Sequence, residues 1–144
     1  MSTSKIKPNI SFWIISTIAL LWNLVGANQY LQQAYNTDSF RAMYTEEEFA
    51  LIQATPSWAI AAFAFAVFGG TAGCVFLLLR KRLAKIFFII SLIGIIVQMI
   101  YDMLIVNAME VFGPGAIIMP IMIIAIGFFL LWYSKKTIAK GWLQ

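Results

Sequence analysis

The chain has 144 residues, 62% of them apolar and 11% charged, with a formal net charge of +4. Soluble domains carry roughly 25% charged residues, so this composition excludes an ordinary water-soluble domain and fits a chain that lives in lipid. Histidine is absent and Cys74 is the one cysteine, which removes the usual ligands of haem and zinc sites and rules out an intrachain disulfide. No cofactor and no metal site is expected.

A bilayer core about 30 Å thick is crossed by about 20 apolar residues in a helix. Four runs meet that length, over residues 10–27, 57–79, 86–106 and 116–133, and helices are expected over about residues 10–33, 57–79, 86–106 and 116–134. Lipid offers no partner for backbone N–H and C=O groups, so a spanning segment must be a helix or part of a closed barrel, and runs this long and unalternating exclude the barrel. The expected fold is all-α: one integral membrane domain over residues 1–144, a bundle of four transmembrane helices. The only sizeable connection, 34–56, should hold a short extracytoplasmic helix.

The first run follows Lys5 and Lys7 and ends near Val25-Gly26-Ala27, a small-residue pattern that a signal peptidase could cut. Its apolar stretch is longer than a signal core and Trp22-Asn23 stands just before that point, so a retained helix is expected. Ser16, Ala19, Asn23, Gly26, Tyr30 and Gln33 share one face of it at 100° per residue.

In the connection, Thr45-Glu46-Glu47-Glu48 spells a capping box with three acids in a first turn. The spacing predicts a helix over about 46–53, ended by Pro56, with Phe49 and Ile52 turned toward the membrane or the bundle mouth. Such a helix can lid the bundle, or its acids can attract a cation.

The second run carries Ala62, Ala66, Gly70 and Cys74 four residues apart, with Gly69-x-x-x-Gly73 alongside. Small residues at that period let a neighbouring helix approach closely. The partner is either another helix of this chain or a second copy in a homo-oligomer.

The third run contains "IIVQMIYDMLIV" over 95–106, which places Gln98, Tyr101 and Asp102 within otherwise pure hydrocarbon. Ser91, Gly94, Gln98, Tyr101, Asp102 and Ile105 fall in one sector of about 100°. The fourth run follows the turn signal Gly113-Pro114-Gly115 and contains Pro120, which predicts a bend. Trp58, Trp132, Tyr133 and Trp142 stand near run ends, as an aromatic belt would.

Nine of the ten cations sit on one side of this arrangement: Lys5, Lys7, Arg80, Lys81, Arg82, Lys85, Lys135, Lys136 and Lys140. The other two connections hold Arg41 against Asp38, Glu46, Glu47, Glu48 and Glu110. The positive-inside bias then puts both termini in the cytoplasm. The net charge is a topology signal rather than a nucleic-acid footprint, and "RKRLAK" also suits anionic lipid headgroups.

An acid at the centre of a bilayer costs about 2.5–3.5 kcal/mol on insertion scales, so polar groups there face the bundle interior or a wet cavity. If the first and third helices are neighbours, their polar faces meet at matching depth. Asp102, Gln98, Tyr101 and Asn23 would then line an outward-opening pocket, with Tyr30 and Gln33 at its mouth. That pocket could bind a solute or exchange a proton at Asp102; equally, these groups could only hydrogen-bond across helices.

"LLWNLVGANQY", "TPSWAIAAFAFAVFGGTAGCVFLLLRK", "IISLIGIIVQMIYD" and "GPGAIIMPIMII" together resemble a family of small four-helix bacterial inner-membrane proteins often labelled sugar transporters in genomes. The resemblance implies four spanning helices, a bacterial inner membrane and a role in transport, and it brings no residue roles with it. Two functions follow. One is a transporter or channel-like binder of a small polar solute, for which four helices leave so little room that an assembly of copies is needed. The other is an accessory or scaffold subunit docked through the small-residue face of the second helix. An enzyme is not expected, since no intramembrane carboxylate pair and no nucleophile with a base is present.

Overall fold

The computed structural model describes residues 7–105, 110 and 113–143. Lys5 and the expected end of the third helix at residue 106 lie outside the described residues. Within them the chain is helical, and four helices are long and apolar enough to cross a membrane. In chain order these are α1 (Ile10–Tyr35), α4 (Ser57–Leu78), α5 (Leu83–Ile100) continued by a π-helical turn (Tyr101–Ile105), and α6 (Ile118–Ala139). Two short helices, α2 (Asp38–Arg41) and α3 (Glu46–Gln53), occupy the connection between α1 and α4.

The helices overrun the hydrocarbon runs where the flanking residues are charged. α5 begins at Leu83, ahead of Lys85, and α6 continues through Lys135 and Lys136 to Ala139. Lysine is a good helix former whose long stem keeps the charge in water, so the end of an apolar run does not end a helix. Backbone geometry ends it instead. Asn36, Arg80 and Gly141 take positive φ at 51°, 60° and 78°. Each closes a Schellman motif, with the bonds Thr37 N–H to Gln32 O, Lys81 N–H to Phe76 O and Trp142 N–H to Thr137 O.

Pro120 is the third residue of α6, directly after a 3₁₀ turn over Pro114–Ile117. Its missing N–H therefore falls among first-turn donors that have no partner within the helix, and the change of helical pitch at Ile117 and Ile118 stands where the sequence suggested a bend.

α4 is the centre of the bundle. α5 packs along one face of it and α1 along another, and α6 packs against α5 and, through Tyr133, against Phe12 of α1. Glycines make these approaches possible. A Cβ on Gly94 of α5 would stand 2.6 Å from the Ala62 carbonyl oxygen and 2.8 Å from the Ala66 nitrogen, and one on Gly69 would stand 3.2 Å from the Phe87 oxygen. On the other side, Gly70 lies directly against the Asn23 side chain and Gly26 faces Val67. Ser91 of α5 donates to the Ala66 carbonyl at 2.6 Å, which ties the closest crossing.

The core gathers at the end of the bundle that carries the basic residues. Phe12, Cys74, Leu77, Ala84, Phe88, Leu130, Tyr133, Trp142 and Leu143 form one cluster there. Phe12 joins α1 to α6, its ring 6.3 Å from Tyr133 and 5.7 Å from Trp142. The αL turn at Gly141 folds Trp142 and Leu143 beneath the bundle, and Arg80 Nε holds them by donating to the Trp142 carbonyl at 2.8 Å. Toward the acidic end the helices part: burial in α1 ends at Ala27 and in α6 begins only at Leu130. Large apolar side chains such as Ile118, Ile121 and Phe128 are exposed on α6, a surface suited to lipid rather than to water.

Candidate functional site

Of the six polar residues singled out from the sequence, Tyr30 and Gln33 line a described cleft, while Asn23 sits in the seam between α1 and α4. α1 and α5 each pack chiefly on α4, so the two polar faces meet different faces of the same helix. They converge only at Gly70, which lies against Asn23 and whose Cβ position is 3.2 Å from Ser91 Oγ. Asp102 is eleven residues beyond Ser91, about 16 Å further along the helix.

Asn23 belongs to the seam between α1 and α4. It is buried, and its Nδ2 donates to the Ala19 carbonyl at 2.9 Å and to Cys74 Sγ at 3.5 Å. Its oxygen rests on Gly70. The side chain is spent on packing and hydrogen bonds within the bundle. The small-residue face of α4 is likewise occupied inside the chain: Ala62 and Ala66 under Gly94, Gly69 against Phe87 and Ser91, and Gly73 against the Phe88 ring. Of the two uses expected for that face, the structure shows packing between helices of one chain; none of it is left as an open oligomer face.

Tyr30 and Gln33 do line a cleft, at the acidic end. It has a volume of about 160 Å³ and is walled by Tyr30, Gln33, Ala34, Asn36, Ile52, Gln53, Ile60 and Phe63. Its geometry follows from the connection. The αL conformation of Asn36 reverses the chain after α1. Thr37 then caps α2 by accepting from the Phe40 N–H. Phe40 is buried against the rings of Tyr44 and Phe49, 5.2 and 6.2 Å away, and the Arg41 guanidinium lies 5.1 Å over Phe49.

The capping box is complete, with Glu48 N–H donating to Thr45 Oγ1 at 3.1 Å and Thr45 N–H to Glu48 Oε1 at 3.0 Å. Burial first, and the Glu48 carboxylate second, push the Tyr44 phenol above its ordinary value. These contacts carry α3 back to the end of α1, where Gln53 Nε2 donates to Asn36 Oδ1.

The cleft is amide and aromatic in character. Tyr30 meets Phe63 and Phe68 edge-on, both at 5.4 Å, which fixes its ring on the α4 side. Gln33, Asn36 and Gln53 bring three carboxamides, and no charged residue is in the lining. Asn36, Gln53 and Phe63 were not reached from the sequence, because nothing local places residue 53 beside residue 36.

Gln98, Tyr101 and Asp102 form the second polar group. Tyr101 is buried, its ring edge-on to Trp58 of α4 at 5.4 Å. Asp102 is half-buried in the π turn, and its polar neighbour is the Gln98 side chain one turn back. Gln98 Oε1 is buried with no hydrogen-bond partner among the described residues. No group of three or more Cys, Asp or Glu side chains able to hold a metal ion occurs among the described residues.

Comparison with family models, with curated proteins and with solved structures finds no match to this chain.

Proposed function

We propose that the chain is an integral protein of a bacterial inner membrane, its basic end in the cytoplasm, that binds a small neutral polar solute in the cleft at its outer end and serves in that solute's transport. The observation that carries the reading is the lining of the cleft: two fixed aromatic rings and three carboxamides without a charge. Carboxamides donate and accept alike, so they suit hydroxyl- or amide-bearing molecules, while the absence of charge disfavours ions. The charge asymmetry supports the orientation, and the resemblance to small four-helix proteins labelled as transporters supports the bacterial membrane and the transport role. The scaffold alternative required an open small-residue face on α4, and that face is filled by α1 and α5.

The test is thermal unfolding of the full chain in lipid nanodiscs against a panel of neutral polyols and small amides. A solute present at a hundred times its Kd should stabilise the protein by about 2.7 kcal/mol. Tyr30→Ala and Gln33→Ala should abolish the shift while leaving the unliganded melting temperature within a few degrees. A panel without any stabilising solute, or a shift that both variants retain, refutes the reading.

A further inference from the structure

The π turn of α5 holds a second site that the cleft does not explain. Two observations meet there. Gln98 Oε1 is a buried acceptor without a donor among the described residues, a state that costs free energy. One turn on, Asp102 offers a carboxyl to the same amide from within a spanning helix, where an isolated carboxylate is expensive. Its polar neighbour is Gln98, and the adjacent Tyr101 turns its ring onto Trp58 of α4. The turn itself is unusual, since π-helical turns are rare and concentrate at functional sites.

We propose that Asp102 and Gln98 form a proton-binding pair, separate from the solute cleft and on a different face of α4. A carboxylic acid and a carboxamide are complementary: the amide N–H donates to the acid's carbonyl oxygen, and the acid's O–H donates back to the amide oxygen. One added proton therefore supplies the donor that Gln98 Oε1 lacks and removes the charge on Asp102, and no other atom is needed. Loss of that proton to water leaves a carboxylate and returns Gln98 Oε1 to its orphaned state. A metal ion fits less well, because hard cations take six or more oxygen ligands and only two side chains are assembled here. In a transporter, a proton site on one face of α4 and a solute site on another are the two parts that coupling requires, with α4 as the element both sites touch.

The test is infrared difference spectroscopy of the full chain in lipid vesicles as pH is raised, in sodium chloride and in choline chloride. The wild type should show a carboxylic-acid C=O band that vanishes on titration. Asp102→Asn should lose the band and Asp102→Glu should restore one. In Gln98→Leu the band should persist at a higher frequency, because the acid's carbonyl then lacks its hydrogen bond. The wild-type titration needs no variant to fold. A wild type without the band, a band unchanged in Asp102→Asn, a Gln98→Leu band at the wild-type frequency, or a band removed by sodium rather than by pH would each overturn the proposal.

Discussion

Gly94→Ala places one methyl group at the tightest backbone approach between α4 and α5. The added Cβ would stand 2.6 Å from the Ala62 carbonyl oxygen, whereas ordinary contact begins at 3.4 Å. The obstructing atoms are backbone, so no rotamer change relieves them and the helices must separate by about 0.8 Å. A gap of that size forfeits a quarter to a half of the dispersion energy at the contact. It also stretches the Ser91–Ala66 bond, now 2.6 Å, to about 3.4 Å, and interhelical bonds in membranes average about 0.6 kcal/mol. Overpacking of this kind costs about 1–3 kcal/mol, against which the better helix propensity of alanine returns up to about 1 kcal/mol. The expected net loss is about 1–2 kcal/mol, read by reversible unfolding of lipid- or micelle-bound protein in denaturing detergent. Gly69→Ala is the graded control: its Cβ would meet backbone at 3.2 Å, a few tenths of an ångström to accommodate, and the net change should be near zero. Equal effects of the two substitutions, or a stabilised Gly94→Ala, would refute the packing argument.

Two predictions concern the helix ends. Arg80 holds a left-handed conformation that costs a residue with a Cβ about 1–2 kcal/mol, and its Nε ties down the Trp142 carbonyl. Arg80→Ala keeps the strain and loses the tie, whereas Arg80→Gly loses the tie and relieves the strain, so the alanine variant should unfold more easily than the glycine variant by about 1 kcal/mol in the same detergent assay. Thr45→Ala removes half of the capping box and about 1 kcal/mol of local stability. Amide exchange over residues 46–53 should quicken about five-fold, with exchange in α4 unchanged.

The helices were legible because their hydrocarbon runs are long enough to cross a bilayer, and a run that crosses must satisfy its backbone internally, whatever it packs against. Their neighbours were not. The polar faces of α1 and α5 share a period and a depth, which suggests contact, but the same period is produced when both face a third helix. The small residues Ala62, Ala66, Gly69, Gly70 and Gly73 carried the missing information, since their two offset rows serve α1 and α5 on two sides of α4. Asn23 looked like Gln98 and Asp102 in sequence and differs from them in structure, because Ala19 and Cys74 give it hydrogen-bond partners, whereas Gln98 Oε1 has none among the described residues. The cleft depended on long-range placement of Gln53 against Asn36, set by an αL turn and a buried Phe40 rather than by any local pattern.

Binding of a neutral solute among the carboxamides at the acidic end is read most directly by side-chain amide NMR of the chain in nanodiscs, titrated with the solute that raises its melting temperature. The NH₂ signals of Gln33, Asn36 and Gln53 should move together and saturate at the Kd read from the thermal shift, while the signal of Asn23, locked between Ala19 and Cys74, stays fixed. Stationary signals from the three cleft amides, or movement confined to Asn23 or Gln98, would contradict it.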